Sequence, residues 1–180
     1  RLDVFSAAAL GRLDAVQAAV AAEPMALGAF SADGFPPLGL AAFFGHSDVA
    51  DWLLDQGADA NAVARNPMRV QPLHSAAAGG HLTIALRLLE HGADVNARQA
   101  GGFVPLHAAA QNGQPDMTRL LLAHGADPDL ATDGGKRAVD FARDGGHRFA
   151  QRRVAGRRGV GKARARLAGG DQDEGVVGGG

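Results

Sequence analysis

Seven histidines are the first side chains in this sequence that could do chemistry. Imidazole serves as a general base near neutral pH and is the commonest metal ligand. Their placement argues against both roles. His74 and His107 each close a Pro-Leu-His tripeptide; His46, His81 and His147 each follow a glycine; His91 and His124 each precede one. A metal needs several ligands converging on one ion, whereas equivalent residues of successive repeats form rows one repeat apart. The acidic residues behave alike. Asp59, Asp94 and Asp127 all stand in Gly-Ala-Asp. They recur because a turn recurs, with side-chain oxygens taking nearby backbone N–H groups. The absence of cysteine removes disulfides, thiolate metal sites and cysteine nucleophiles together. Gly156 to Ala163 approximates a phosphate-binding loop. Ala163, however, has no hydroxyl for magnesium, and no apolar strand precedes the glycines. The sequence therefore offers no catalytic, cofactor-binding or metal residue, and no enzyme is expected.

What the histidines mark is a period. Leu38, Leu73, Leu106 and Val139 occupy equivalent slots at spacings of 35, 33 and 33 residues. A fixed period in this range is the mark of a repeat array, in which each unit buries its apolar face only against its neighbours. The fullest copy, residues 72–96, reads Pro-Leu-His-x-Ala-Ala-x-x-Gly-His, then a helix ending in Leu-Leu-x-x-Gly-Ala-Asp-x-Asn. Over about residues 3–147 the chain resembles the ankyrin repeat. The resemblance implies an all-α solenoid of stacked helix-turn-helix units with hairpin-like loops, a protein partner and no cofactor. It also implies that the histidine of Pro-Leu-His ties neighbouring loops together by hydrogen bonds.

The period divides the chain. Residues 1–30 form a divergent capping repeat without Pro-Leu-His, since a terminal unit has only one neighbour. Repeats follow at 31–62, 63–97 and 98–130. In the second repeat Gly39 stands where the others carry histidine, which weakens its loop anchoring. The third has two extra residues in the loop ARNPMRVQ, and surface loops accept such insertions cheaply. Residues 131–155 read as an incomplete fifth repeat, whose second helix lacks a convincing apolar face. Residues 156–180, rich in Arg, Gly and Ala, are expected to be disordered. The abrupt change in composition suggests a shifted reading frame in a GC-rich, bacterial gene.

Charge follows the same division. Residues 1–147 hold 10 Lys/Arg against 16 Asp/Glu, a net of −6, and residues 148–180 hold 8 against 3, a net of +5. The basic tail carries almost no aromatics, so nucleic acid would bind it non-specifically at most, through phosphates. No apolar run reaches the ~20 residues of a membrane span. A cytoplasmic location, with neither membrane nor small-molecule substrate, is the expectation. The alternative is a regulatory or targeting fragment of a larger enzyme, because the sequence opens on Arg1 rather than Met. An intracellular effector or toxin-neutralising role is a third, weaker reading.

In ankyrin proteins partners usually meet the concave face, formed by loop tips and the last exposed positions of each first helix. Matched slot by slot, that face contains Phe43 and Phe44, then Gln111 and Asn112, before the repeat glycines. At the loop tips it contains Phe35, then Met68, Arg69 and Val70, then Phe103, then Lys136. These ten are the candidate partner-binding residues, and the aromatics among them are expected to carry most of the binding energy.

Overall fold

Paired alanines decide how closely this chain can pack. Ala7-Ala8, Ala41-Ala42, Ala76-Ala77 and Ala109-Ala110 recur on the first helix of successive units, and all eight are fully buried. A side chain of one methyl lets neighbouring helices pack closely, within the usual separation of about 8–10 Å. The computed structural model describes residues 2–148 together with 151, 152, 154 and 155. Within these, the helices are α1 (Val4–Ala9), α2 (Leu13–Ala22), α3 (Pro37–Phe44), α4 (Ser47–Asp55), α5 (Pro72–Gly79), α6 (Leu82–Glu90), α7 (Pro105–Gln111), α8 (Pro115–Ala123) and α9 (Ala138–Asp144). A 3-10 turn at Pro24–Gly28 closes the first unit.

The helices stand in two rows. The first helices of each unit, α1, α3, α5, α7 and α9, pack side by side in chain order, and α2, α4, α6 and α8 form a second row behind them. Helices of six to ten residues are marginal alone in water. Here the buried layer between the rows holds them, with Leu38, Leu73 and Leu106 from one side and Leu53, Ile84, Leu88 and Leu121 from the other. Proline opens α3, α5, α7 and α8, where its missing N–H would have had no partner.

The fifth unit extends further than its apolar pattern promised. Residues 148, 151, 152, 154 and 155 have helical conformation, and Val154 is buried. Val154 belongs to the same buried core as the leucines of the preceding units. The expected disordered tail, the phosphate-loop lookalike at 156–163 and the basic run beyond 155 lie outside the described residues.

Two hydrogen-bond ladders run across the stack. In the first, a residue after the repeat glycine reaches back to the end of the preceding unit's first helix. His46 Nε2 bonds Ala9 O at 2.9 Å, His81 Nε2 bonds Phe43 O at 3.3 Å, Gln114 Nε2 donates to Ala78 O at 3.3 Å, and His147 Nε2 bonds Gln111 O at 3.0 Å. These carbonyls end helices and have no partner within them. In the second ladder, Asn61 donates to Gly92 O (2.9 Å) and accepts from Asp94 N (2.8 Å); Asn96 does the same with Gly125 O (3.3 Å) and Asp127 N (2.8 Å).

Candidate functional site

The loop tips are positioned by the histidines of Pro-Leu-His. His74 Nδ1 accepts from Gln71 N at 3.4 Å, and His107 Nδ1 accepts from Val104 N at 3.1 Å. A backbone N–H can only donate, so Nδ1 is bare and the proton sits on Nε2. That proton is donated onward: His74 Nε2 gives it to Phe103 O, at the next unit's tip, at 3.3 Å, and His107 Nε2 gives it to Leu130 O, where its own repeat ends, at 3.0 Å. Burial disfavours the charged form, and it pushes both imidazoles below the usual histidine range. The loop-tying role implied by the resemblance is therefore present in this structure. Where Gly39 replaces the histidine, the second unit has no such bond. In the fifth, Asp140 takes the same slot and accepts from Arg137 N at 3.0 Å.

All seven histidines hydrogen-bond a backbone carbonyl, including His91 to Arg87 O and His124 to Leu120 O. Among the described residues no three His, Asp or Glu side chains converge as metal ligands would.

The inner ends of α3, α5 and α7 and the tips in front of them enclose a groove of about 530 Å³. Seven predicted residues line it: Phe35, Phe43, Met68, Val70, Phe103, Gln111 and Asn112. Phe43 and Met68 are more than half exposed, whereas Phe35, Val70 and Phe103 are half-buried. Phe103 is held on its other side by His107 (centroids 5.8 Å) and Phe141 (5.4 Å). Asn112 is anchored through Nδ2 to Ala78 O at 3.0 Å.

Three predicted residues stand outside the groove. Phe44 is half exposed, edge-on to Phe43 at 5.1 Å and stacked towards His46 at 6.4 Å. Consecutive helical residues point about 100° apart, so only one of the pair can face inward. Lys136 is engaged with Asp144 at 2.8 Å, which raises its pKa. Arg69 lies exposed at its tip with φ +52°.

The sequence reading missed Ser75, Gln99 and Ala100, which also line the groove. Ser75 is buried, and its Oγ has no hydrogen-bond partner among the described residues. Gln99 had a signal available. It opens the tip turn that Phe103 closes, through Gln99 N to Phe103 O at 2.9 Å, as Ser31 does with Phe35. Apart from the neutral His74, nothing lining the groove can carry charge.

The two rows of short helices, the tips and the Pro-Leu-His ties agree with one family. The model for ankyrin repeats matches residues 4–54 and 73–122, more than half of the chain. The chain is an ankyrin-repeat protein. No curated protein matches it. Ankyrin repeats generally serve as protein–protein interaction modules and are typically non-catalytic. Among the described residues of this ankyrin protein, no helix is long and apolar enough to cross a membrane.

Proposed function

We propose that this ankyrin array is a non-catalytic recognition module whose protein partner sits on the concave face, in the groove between Phe35 and Gln111. The observation that carries the reading is the groove's composition. It is an open, apolar trough with no charged lining, and its rim leaves Phe43 and Met68 more than half exposed. Contiguous exposed apolar surface on a soluble protein marks an interaction site. About 530 Å³ also falls within the range of pockets that bind ligands. Aromatic anchors at the centre with carboxamides at the edge match the usual anatomy of an interface.

The test is a pull-down from source-cell lysate with the intact chain and a Phe43→Ser, Met68→Ser variant. Both side chains are exposed, so the variant folds, and circular dichroism checks it. Prey retained by the intact chain and lost by the variant supports the groove. Prey retained equally by both moves the site to another face.

A further inference from the structure

The four loop tips are built alike, and one of them breaks the pattern. Each is a turn closed by a bond from its third following residue: Gly34 N to Ser31 O, Arg69 N to Asn66 O, Gly102 N to Gln99 O and Gly135 N to Thr132 O. All four donors have positive φ, between +52° and +81°, and three are glycine. The fourth is Arg69. A side chain at this conformation is disfavoured, and glycine would relieve it. The strain is sustained by Asn66 Oδ1, which accepts from both Met68 N (3.1 Å) and Arg69 N (3.2 Å). The two extra residues of this loop lie here as well. The closing pair spans Ala64 N to Val70 O, against Ser31 to Phe35 and Gln99 to Phe103 in its neighbours. Insertion and strained residue together place Met68 on the groove and Arg69 beside it.

The other tip cations are occupied. Arg98 approaches Asp133 at 3.6 Å, Lys136 holds Asp144, and Arg65 lies 3.9 Å over the ring of Phe30. Arg69 has no ion-pair partner among the described residues. Next to it the groove is uncharged. Its wall includes the carboxamides of Gln99 and Gln111, each able to give and take a hydrogen bond as a peptide backbone does. The groove crosses three units, two spacings of about 10 Å, and an extended chain covers that distance in about six residues.

We propose that the groove's occupant is an extended, apolar peptide segment of about six residues flanked by an acidic side chain, whose carboxylate pairs with Arg69. This rests on the groove being the partner site. Residues facing the groove must be uncharged, and the flanking carboxylate supplies the register that apolar contacts alone do not.

The test begins with selection of a display library of random short peptides on the intact chain. The best binder is then synthesised with its acidic residue and with the matching amide. Fluorescence anisotropy gives both affinities for the intact chain, for Arg69→Gly and for Phe43→Ser, Met68→Ser. The expected result is enrichment of apolar peptides with a flanking Asp or Glu. On the intact chain the acid form binds about three- to five-fold tighter than the amide, in line with an exposed pair. Arg69→Gly brings that ratio to about one, and high salt does so too. Peptides with no acidic preference, or an acid-to-amide ratio that survives in Arg69→Gly, would overturn this proposal and leave the groove standing. No enriched peptide, or equal binding by Phe43→Ser, Met68→Ser, would overturn the groove itself and this inference with it.

Discussion

Replacing Gly45 by alanine separates two costs that usually come mixed. Gly45 ends α3 in the left-handed region, at φ +81°. Any side chain there costs about 1 kcal/mol in backbone strain. The space is also taken, because a Cβ on Gly45 would lie 2.5 Å from Cε1 of His81. His81 must then move, and its bond to Phe43 O goes with it. Losing that bond and repacking the ring adds about 1–2 kcal/mol. Gly57 supplies the control. Its φ is +87°, yet a Cβ there would meet nothing within 4 Å. Gly57→Ala should therefore cost about 1 kcal/mol and Gly45→Ala about 2–3 kcal/mol. At roughly 2–4 °C per kcal/mol, the two melting temperatures should differ by several degrees. Urea unfolding followed by far-ultraviolet circular dichroism gives both values, and a cycle with His81→Ala isolates the wedge. Gly45→Ala in the His81→Ala background should fall back towards the cost of Gly57→Ala. Equal costs for the two glycines, or strict additivity in the cycle, would refute the account of how the units interlock.

Two further outcomes follow from the packing. His74 and His107 are buried and neutral in the folded state, with pKa values held below the ordinary ~6.5 of the unfolded chain. The unfolded chain therefore binds more protons in the window from about 6.5 down to the folded values. Stability should be flat above about pH 7 and fall through that window, with a limiting slope of about 1.4 kcal/mol per pH unit for each histidine. Urea midpoints between about pH 5 and 8 measure this, and a flat profile would contradict the assignment. Ala77→Leu, at a fully buried site between first helices, should lower stability by about 1–3 kcal/mol through overpacking, read by thermal unfolding.

Much of the fold could be read from residue types because an array repeats its evidence. One Pro-Leu-His is ambiguous, whereas two in register with four equivalent slots, three leucine and one valine, fix where helices begin. Pro72 and Pro105, which open the two Pro-Leu-His copies, are the first residues of α5 and α7, and Leu38, Leu73 and Leu106 are all buried. The site was harder to read, because which side chains meet there depends on helix rotation and on contacts between parts of the chain far apart in sequence. Phe44 is adjacent to Phe43 in sequence but turns away from the groove. Lys136 looked free until α9 brought Asp144 within 2.8 Å. Nothing in the word Ser-Ala-Ala-Ala shows that the hydroxyl of Ser75 finds no partner among the described residues. Arg69 was recognisable as a loop-tip residue. That it fills a glycine's place emerges only when the tips are counted back from the first residue of each following helix, three positions in every unit.

The ladder that joins the units also gives the array a direction. Each unit offers a side chain backward and a bare carbonyl forward, plug on one side and socket on the other: Phe43 O receives His81, and Gln111 O receives His147. Joints of this kind are not interchangeable end for end, but they are interchangeable along the row. A whole unit copied in tandem would meet a matching socket before it and a matching plug after it, so such an array can lengthen or shorten by full periods with its joints preserved. The tips are joined as well, by Arg65 N to Gly34 O, Ala100 N to Met68 O and Asp133 N to Gly101 O, but these bonds run between backbone atoms, so side chains at the tips can vary while the joints persist.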